Sequence, residues 1–392
     1  MLKLIGFYIS IDAIVRSFNI LSLIFIIPLV SQSAQELITY YTVTFSLLTA
    51  IFSLSQLALV ARSVRFIDGR IVLDLSVFSV GVSLLIVFLL CGYLLGRPWF
   101  VYACISAMGT FLYQSYQAGN NIHVRLKDLA VADLIWLLST ISILILLFLM
   151  EVNDERLRVF SHLGALVFVS IFILNRVKFF SPPQMAKSSI RNAKLGIWMT
   201  IYSGIQWFLV YGDKMLLGAF NQETVMVAIF TMTNILQLQL LGSLALVKAF
   251  KAKLLQSIEN FDMKALYILG AWHISLSLLG SVICGLLYFT YARWLDVELI
   301  SYNYIITYIM LYFSLGLTYF IYQVIVFIDE QKTVSFGLLI YGLPLTISVA
   351  LITWLTNNYF FIPLGFFIVS LFVLGFSTKV ALNNLRTVDN RA

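Results

Sequence analysis

The chain has 392 residues, 61% of them apolar and 11% charged, with a mean hydropathy of +0.97. A soluble domain carries about 45–50% apolar and about 25% charged residues, so composition excludes a water-soluble monomer, a disordered chain and a nucleic-acid-binding domain. The net charge of +7, from 25 Lys and Arg against 18 Asp and Glu, is first a matter of membrane topology and only then of a polyanionic partner.

A helix needs about 20 apolar residues to cross about 30 Å of hydrocarbon. On that measure the chain predicts twelve spans, at 7–30, 37–60, 71–95, 99–119, 129–150, 159–175, 195–219, 224–247, 265–291, 299–327, 333–354 and 357–378. The runs show no strand-like alternation, and in lipid only helices or closed barrels satisfy the backbone. The expected fold is therefore all-α, a polytopic integral membrane protein. The first span resembles a signal peptide only superficially, because its apolar region is too long and carries Asp12 and Arg16. The longest connection, Arg176 to Lys194, contains Ser181-Pro182-Pro183, which cannot continue a helix. It divides the chain into a six-helix half at 1–175, a cytoplasmic linker at 176–194, a second six-helix half at 195–378 and a tail at 379–392.

With the N-terminus inside, 19 of the 25 Lys and Arg fall in cytoplasmic segments. Four (Arg97, Arg156, Arg158 and Arg293) fall outside, and Arg16 and Lys214 lie within spans. That asymmetry predicts an even number of helices with both termini cytoplasmic. Two six-helix halves about a basic linker match a secondary transporter built from repeats. A shift of 187 positions adds a weak internal match, laying Gln35-Glu36 on Gln222-Glu223 and Thr44 on Thr231.

The loops leave little room for an enzyme. No Gly-rich phosphate cradle followed by Lys and Ser/Thr is present, and each outside connection is a handful of residues. His123, His162 and His273 lack ligand spacing and read as loop or helix-end residues. Cys91, Cys104 and Cys284 lie in apolar runs and read as packing residues. No cofactor and no metal are expected.

Ionisable groups at membrane depth cost about 2.5–3.5 kcal/mol on insertion scales and mark cavities or partners. In the first span Tyr8, Asp12, Arg16 and Asn19 share one face. Two readings stay open there: an interfacial segment whose charges sit among headgroups, and an Asp12–Arg16 pair lining a cavity. Asp74 and Asp133 lie a few residues into helices that begin on the cytoplasmic side, where the helix dipole favours a carboxylate. They read as caps and, second, as ion-coupling acids. In the seventh span Tyr202, Gln206 and Asp213 share a face; Lys214 either snorkels outward or faces the lumen. The tenth span carries Tyr304, Tyr308, Tyr312, Tyr319 and Tyr322 on one face. Such a stripe suits helix packing, and equally suits sugar faces that offer C–H surface and hydroxyls.

Two segments carry a family resemblance. Phe25-Ile26-Ile27-Pro28-Leu29-Val30, leading to Glu36 and Tyr40, resembles the opening of the O-antigen flippases (Wzx-like). Tyr211-Gly212-Asp213-Lys214-Met215-Leu216-Leu217-Gly218 resembles the opening of that family's second half. The family belongs to the multidrug/oligosaccharidyl-lipid/polysaccharide exporter superfamily, and the layout covers the whole chain. The resemblance implies that undecaprenyl-diphosphate-linked oligosaccharide units pass from the cytoplasmic to the periplasmic leaflet by alternating access, coupled to H+ or Na+. It also implies membrane lipids, a polysaccharide polymerase and a chain-length regulator as partners. In that reading Arg16, with Asp12 as counter-ion, engages the phosphate or an acidic sugar, while Asn19, Gln206, Asp213, Lys214 and the tyrosines line the lumen. Two rivals share the composition: a small-molecule or multidrug secondary transporter, and a membrane polysaccharide polymerase or ligase.

Overall fold

The fold is that of a computed structural model, which describes residues 2–63, 65–67, 70–94, 96–122, 126–260, 262–294, 301–328 and 330–389. The side chains of Asp12 and Arg16, and His123 entirely, lie outside the described residues.

The first half begins with α1 (Leu2–Ile26), α2 (Gln32–Ser63), strands β1 (Arg65–Ile67) and β2 (Arg70–Asp74), and α3 (Leu75–Leu94). It continues with α4 (Pro98–Ile122), α5 (Leu126–Leu149), α6 (Arg156–Leu174) and β3 (Val177–Phe180). Then follow α7 (Met185–Ala219), α8 (Glu223–Glu259), α9 (Met263–Trp294), α10 (Tyr302–Phe327), α11 (Gln331–Gly337), α12 (Leu343–Thr356) and α13 (Phe361–Asp389). A π turn at Leu338–Gly342 joins α11 to α12. Pro344 lacks the N–H that the ladder would use and crowds the preceding turn, and a widened turn there absorbs both effects.

Among the described residues a helix covers most of each predicted span, except that 71–74 belong to β2. Seven helices among the described residues are long and apolar enough to cross a membrane: α5, α6, α8, α9, α10, the α11–α12 rod and α13. The chain is a mostly helical, multi-pass membrane protein. α2, α4 and α7 carry more Ser, Thr, Tyr, Asn and Gln, which dilutes their apolar signal. Large apolar side chains are exposed along the spans, among them Leu138, Leu278, Leu286 and Leu351. Water would not tolerate apolar surface on that scale, and lipid covers it.

The all-α class holds, with a small sheet added to it: β1 pairs antiparallel with β2, and β2 pairs in parallel with β3, Ile71 opposite Val177 and Leu73 opposite Phe179. The expected linker at 176–194 includes β3 and the first ten residues of α7. Helix lengths exceed the predicted spans: α7 has 35 residues and α8 has 37. Hydropathy measures only the apolar stretch, whereas hydrogen bonding carries a helix on into polar sequence. The helices stop at recognisable residues. Asn221 and Asn357 take left-handed φ of 54° and 50° after α7 and α12, a conformation Asn adopts readily.

By its contacts the chain divides into two compact units, Met1–Trp207 and Phe208–Ala392. Part of the packing recurs in both, although α1 also packs against α5 in the first and no matching α7 contact stands among those described in the second. In the first, α4 packs against α2, α3 and α6, and α5 against α6; in the second, α10 packs against α8, α9 and α13, and α12 against α13.

Candidate functional site

Among the described residues, the most concentrated buried charge lies in the second unit, where α7 faces α10. Asp213 and Lys214 are both essentially inaccessible, as are Tyr308 and Tyr312. Lys214 Nζ lies 2.9 Å from Asp213 Oδ1 and donates to the Val210 carbonyl at 2.6 Å. The Tyr308 hydroxyl donates to Asp213 Oδ2 at 2.5 Å, and the Lys214 backbone N–H donates to Oδ1 at 2.9 Å. The ammonium also stands 5.8 Å from the ring centroids of both Tyr211 and Tyr308, within cation–π reach. Both carboxylate oxygens are therefore occupied, and the charge of the lysine is met by an acid, a carbonyl and two rings. Lys214 does not snorkel: its four-carbon stem folds back along α7 toward Asp213.

Of the tyrosine stripe, Tyr308 and Tyr312 sit one turn apart in the unit's interior. Tyr304 is half-buried with its ring edge-on to Phe360 at 5.3 Å, and Tyr319 is half-buried further along. Only Tyr308 among them bonds to Asp213. Gln206 is half-buried on α7, two turns before Asp213.

In the first unit, Asn19 on α1 accepts a hydrogen bond from Arg158 Nη1 at 2.9 Å. Asp133 is fully buried on α5 and accepts from the Tyr113 hydroxyl and, at 3.0 Å, from Gln117 Nε2, both on α4. Asp74 is not inside a helix but ends β2, where its Oδ1 accepts the Ser76 N–H at 2.8 Å and caps α3. The capping role holds, from a different position. The ion-pair reading of Asp12 and Arg16 falls outside the described side chains.

Sequence reasoning missed a second polar cluster. Arg158 and His162 are not loop residues; both are buried on α6. Tyr41 on α2 bridges His162 Nδ1 at 2.9 Å and Ser106 Oγ on α4 at 2.8 Å, and the imidazole is edge-on to Phe45 at 4.6 Å. Their spacing of four was the available signal, hidden once Arg158 was assigned to an outside loop. His273 is likewise mid-helix on α9, its Nε2 2.9 Å from the Gly316 carbonyl oxygen. Outside the spans, the Arg156 side chain bonded to Asp154 holds that carboxyl below the usual carboxylate range. Among the described residues no group of three His, Cys, Asp or Glu could hold a metal ion.

No protein-family model and no curated protein matches the chain. A solved structure to which it is similar is "MATE transporter ClbM in complex with Rb+", at 12% identity over 96% of this chain and 95% of that one, with a TM-score of 0.42.

Proposed function

We propose that the chain is a flippase that carries undecaprenyl-diphosphate-linked oligosaccharide units across the inner membrane of a bacterium, for O-antigen or a related surface polysaccharide. In this reading all twelve helical rods span the bilayer, both termini are cytoplasmic, and each six-helix half (1–175 and 195–378) is one repeat of the transporter. The observation that supports it is in the segment resembling the flippases: its Asp213 and Lys214 form a buried ion pair that the Tyr308 hydroxyl joins. The part of the packing that recurs in the two units supports the repeat.

Sugar hydroxyls and a diphosphate cannot shed their water into hydrocarbon unaided. A cation held by an internal acid can exchange that acid for a phosphate or an acidic sugar, and buried tyrosine hydroxyls can replace water on a glycan. The cycle draws on an H+ or Na+ gradient, with Asp133 and Asp213 as coupling acids. A polysaccharide polymerase and a chain-length regulator take over the delivered units.

The test is complementation of a deletion strain at matched protein level. Wild type restores surface glycan, and Asp213→Asn or Lys214→Gln reduces it at least tenfold while lipid-linked units accumulate. Undiminished glycan from both variants would remove the pair from transport. An acid in the site also suits a cationic small molecule, and that reading predicts altered drug sensitivity with surface glycan intact.

A further inference from the structure

The first ten residues of α7 carry a row of cations, Lys187, Arg191 and Lys194. All three are exposed. At 100° per residue they fall within about 60° of one another. Ser189 sits on the other side of the helix, its hydroxyl 2.5 Å from that of Ser79 on α3, so the row is turned away from that contact. Exposed Ile190 and Ile197 border it along one edge.

The charge along this stretch has one sign, since no Asp or Glu occurs between Glu155 and Asp213. The ion pairs among the described residues join Arg156 to Asp154, Arg176 to Asp128 and Lys214 to Asp213, and leave the row out. Asp74, close to the α3 contact in sequence, accepts the Ser76 N–H at 2.8 Å. The height of the row follows from the next residue on its face, half-buried Trp198, one turn past Lys194. Beyond that tryptophan no charge occurs before Asp213, and Trp collects at the membrane–water interface. At 1.5 Å per residue, Lys194 stands about 6 Å beyond Trp198, within a headgroup layer of about 5–7 Å. Arg191 and Lys187 follow at about 10 and 16 Å, within about one Debye length of that layer.

We propose that the row is a docking face for the anionic phospholipid headgroups of the leaflet at which α7 begins, cytoplasmic under the orientation proposed above. The ammonium and guanidinium groups meet lipid phosphates, and this holds the start of α7 at the membrane surface. The sign of the charge, its level beside Trp198 and the exposure of all three side chains agree on that occupant. Selection is by headgroup charge, because nothing in the row reads an acyl chain. The face rests on α7 crossing the bilayer and is independent of what the protein carries.

The test is native mass spectrometry of the full chain released from nanodiscs that hold equal phosphatidylglycerol and phosphatidylcholine. After bulk lipid is stripped, phosphatidylglycerol remains on wild type about fivefold or more over phosphatidylcholine. Lys187→Gln with Arg191→Gln and Lys194→Gln, which leaves the Ser189 side of α7 intact, removes most of that preference. Lys253→Gln with Lys264→Gln keeps it, because those exposed cations share their turn with Glu259 and Asp262. A preference unchanged in the triple variant, or lost equally in the Lys253 and Lys264 variant, would overturn the assignment. So would displacement of phosphatidylglycerol by undecaprenyl phosphate from an equimolar mixture, which would give the row to the cargo.

Discussion

Asp213 and Lys214 show how charges survive in a buried interior. Each is compensated directly, and removing one strands the other. Breaking such a pair costs about 3–5 kcal/mol, whereas replacing both partners with apolar groups is often close to neutral. Asp213→Ala is therefore expected to lower the melting temperature of the detergent-solubilised protein sharply, and Asp213→Leu with Lys214→Met to recover most of the loss. A double variant as unstable as the single one would show that the pair is not the source of the effect. Tyr308→Phe removes one hydrogen bond to a carboxylate and should cost about 1.5–3 kcal/mol. The place of Asp213 on the inner face of its helix was legible, because a face follows from 100° per residue. The direction of Lys214 was not, since a flexible stem can reach the interface or fold back and only the tertiary partner decides. Arg158 and His162 failed differently: the boundary of α6 was placed at 159, so their common face went unread.

At the scale of elements, hydropathy located the long helices among the described residues but not their ends. Polar extensions such as Met185–Lys194 on α7 belong to helices by hydrogen bonding and carry no apolar signal. The sheet was out of reach for another reason. Its strands have three to five residues, and β2 finds β3 a hundred positions away, a pairing no local pattern encodes. Helix packing makes a sharper prediction. A Cβ at Gly365 on α13 would stand 2.3 and 2.4 Å from the two γ-methyl groups of Val349 on α12, a close approach that only glycine permits. Gly365→Ala should cost about 1–3 kcal/mol as overpacking, and Val349→Ala in the same chain should return part of it; a melting curve unmoved by Gly365→Ala would contradict this contact. At the start of α6, Asp154 accepts both the Arg156 backbone N–H and its guanidinium. Because the fold favours the ionised carboxyl, its contribution is complete above the ordinary value of about 3.9 and fades as pH falls through the lowered folded one. Wild type should lose a little melting temperature below about pH 4, and Asp154→Asn should be flatter in that window.

For the whole molecule, composition carried the class of a multi-pass membrane protein, and part of the helix packing recurs in the two units. Their buried chemistry differs: an Asp–Lys–Tyr cluster occupies the second unit and an Arg–His–Tyr cluster the first. The measurement that tests the flippase reading most directly is reconstitution of the purified chain into sealed liposomes loaded with undecaprenyl-diphosphate-linked oligosaccharide, with an impermeant glycan-cleaving reagent added outside. The account predicts that units from the inner leaflet become cleavable in the presence of wild-type protein and an ion gradient, and remain protected with Asp213→Asn. Inner-leaflet units that stay protected with active, correctly folded wild type under both H+ and Na+ gradients would contradict it.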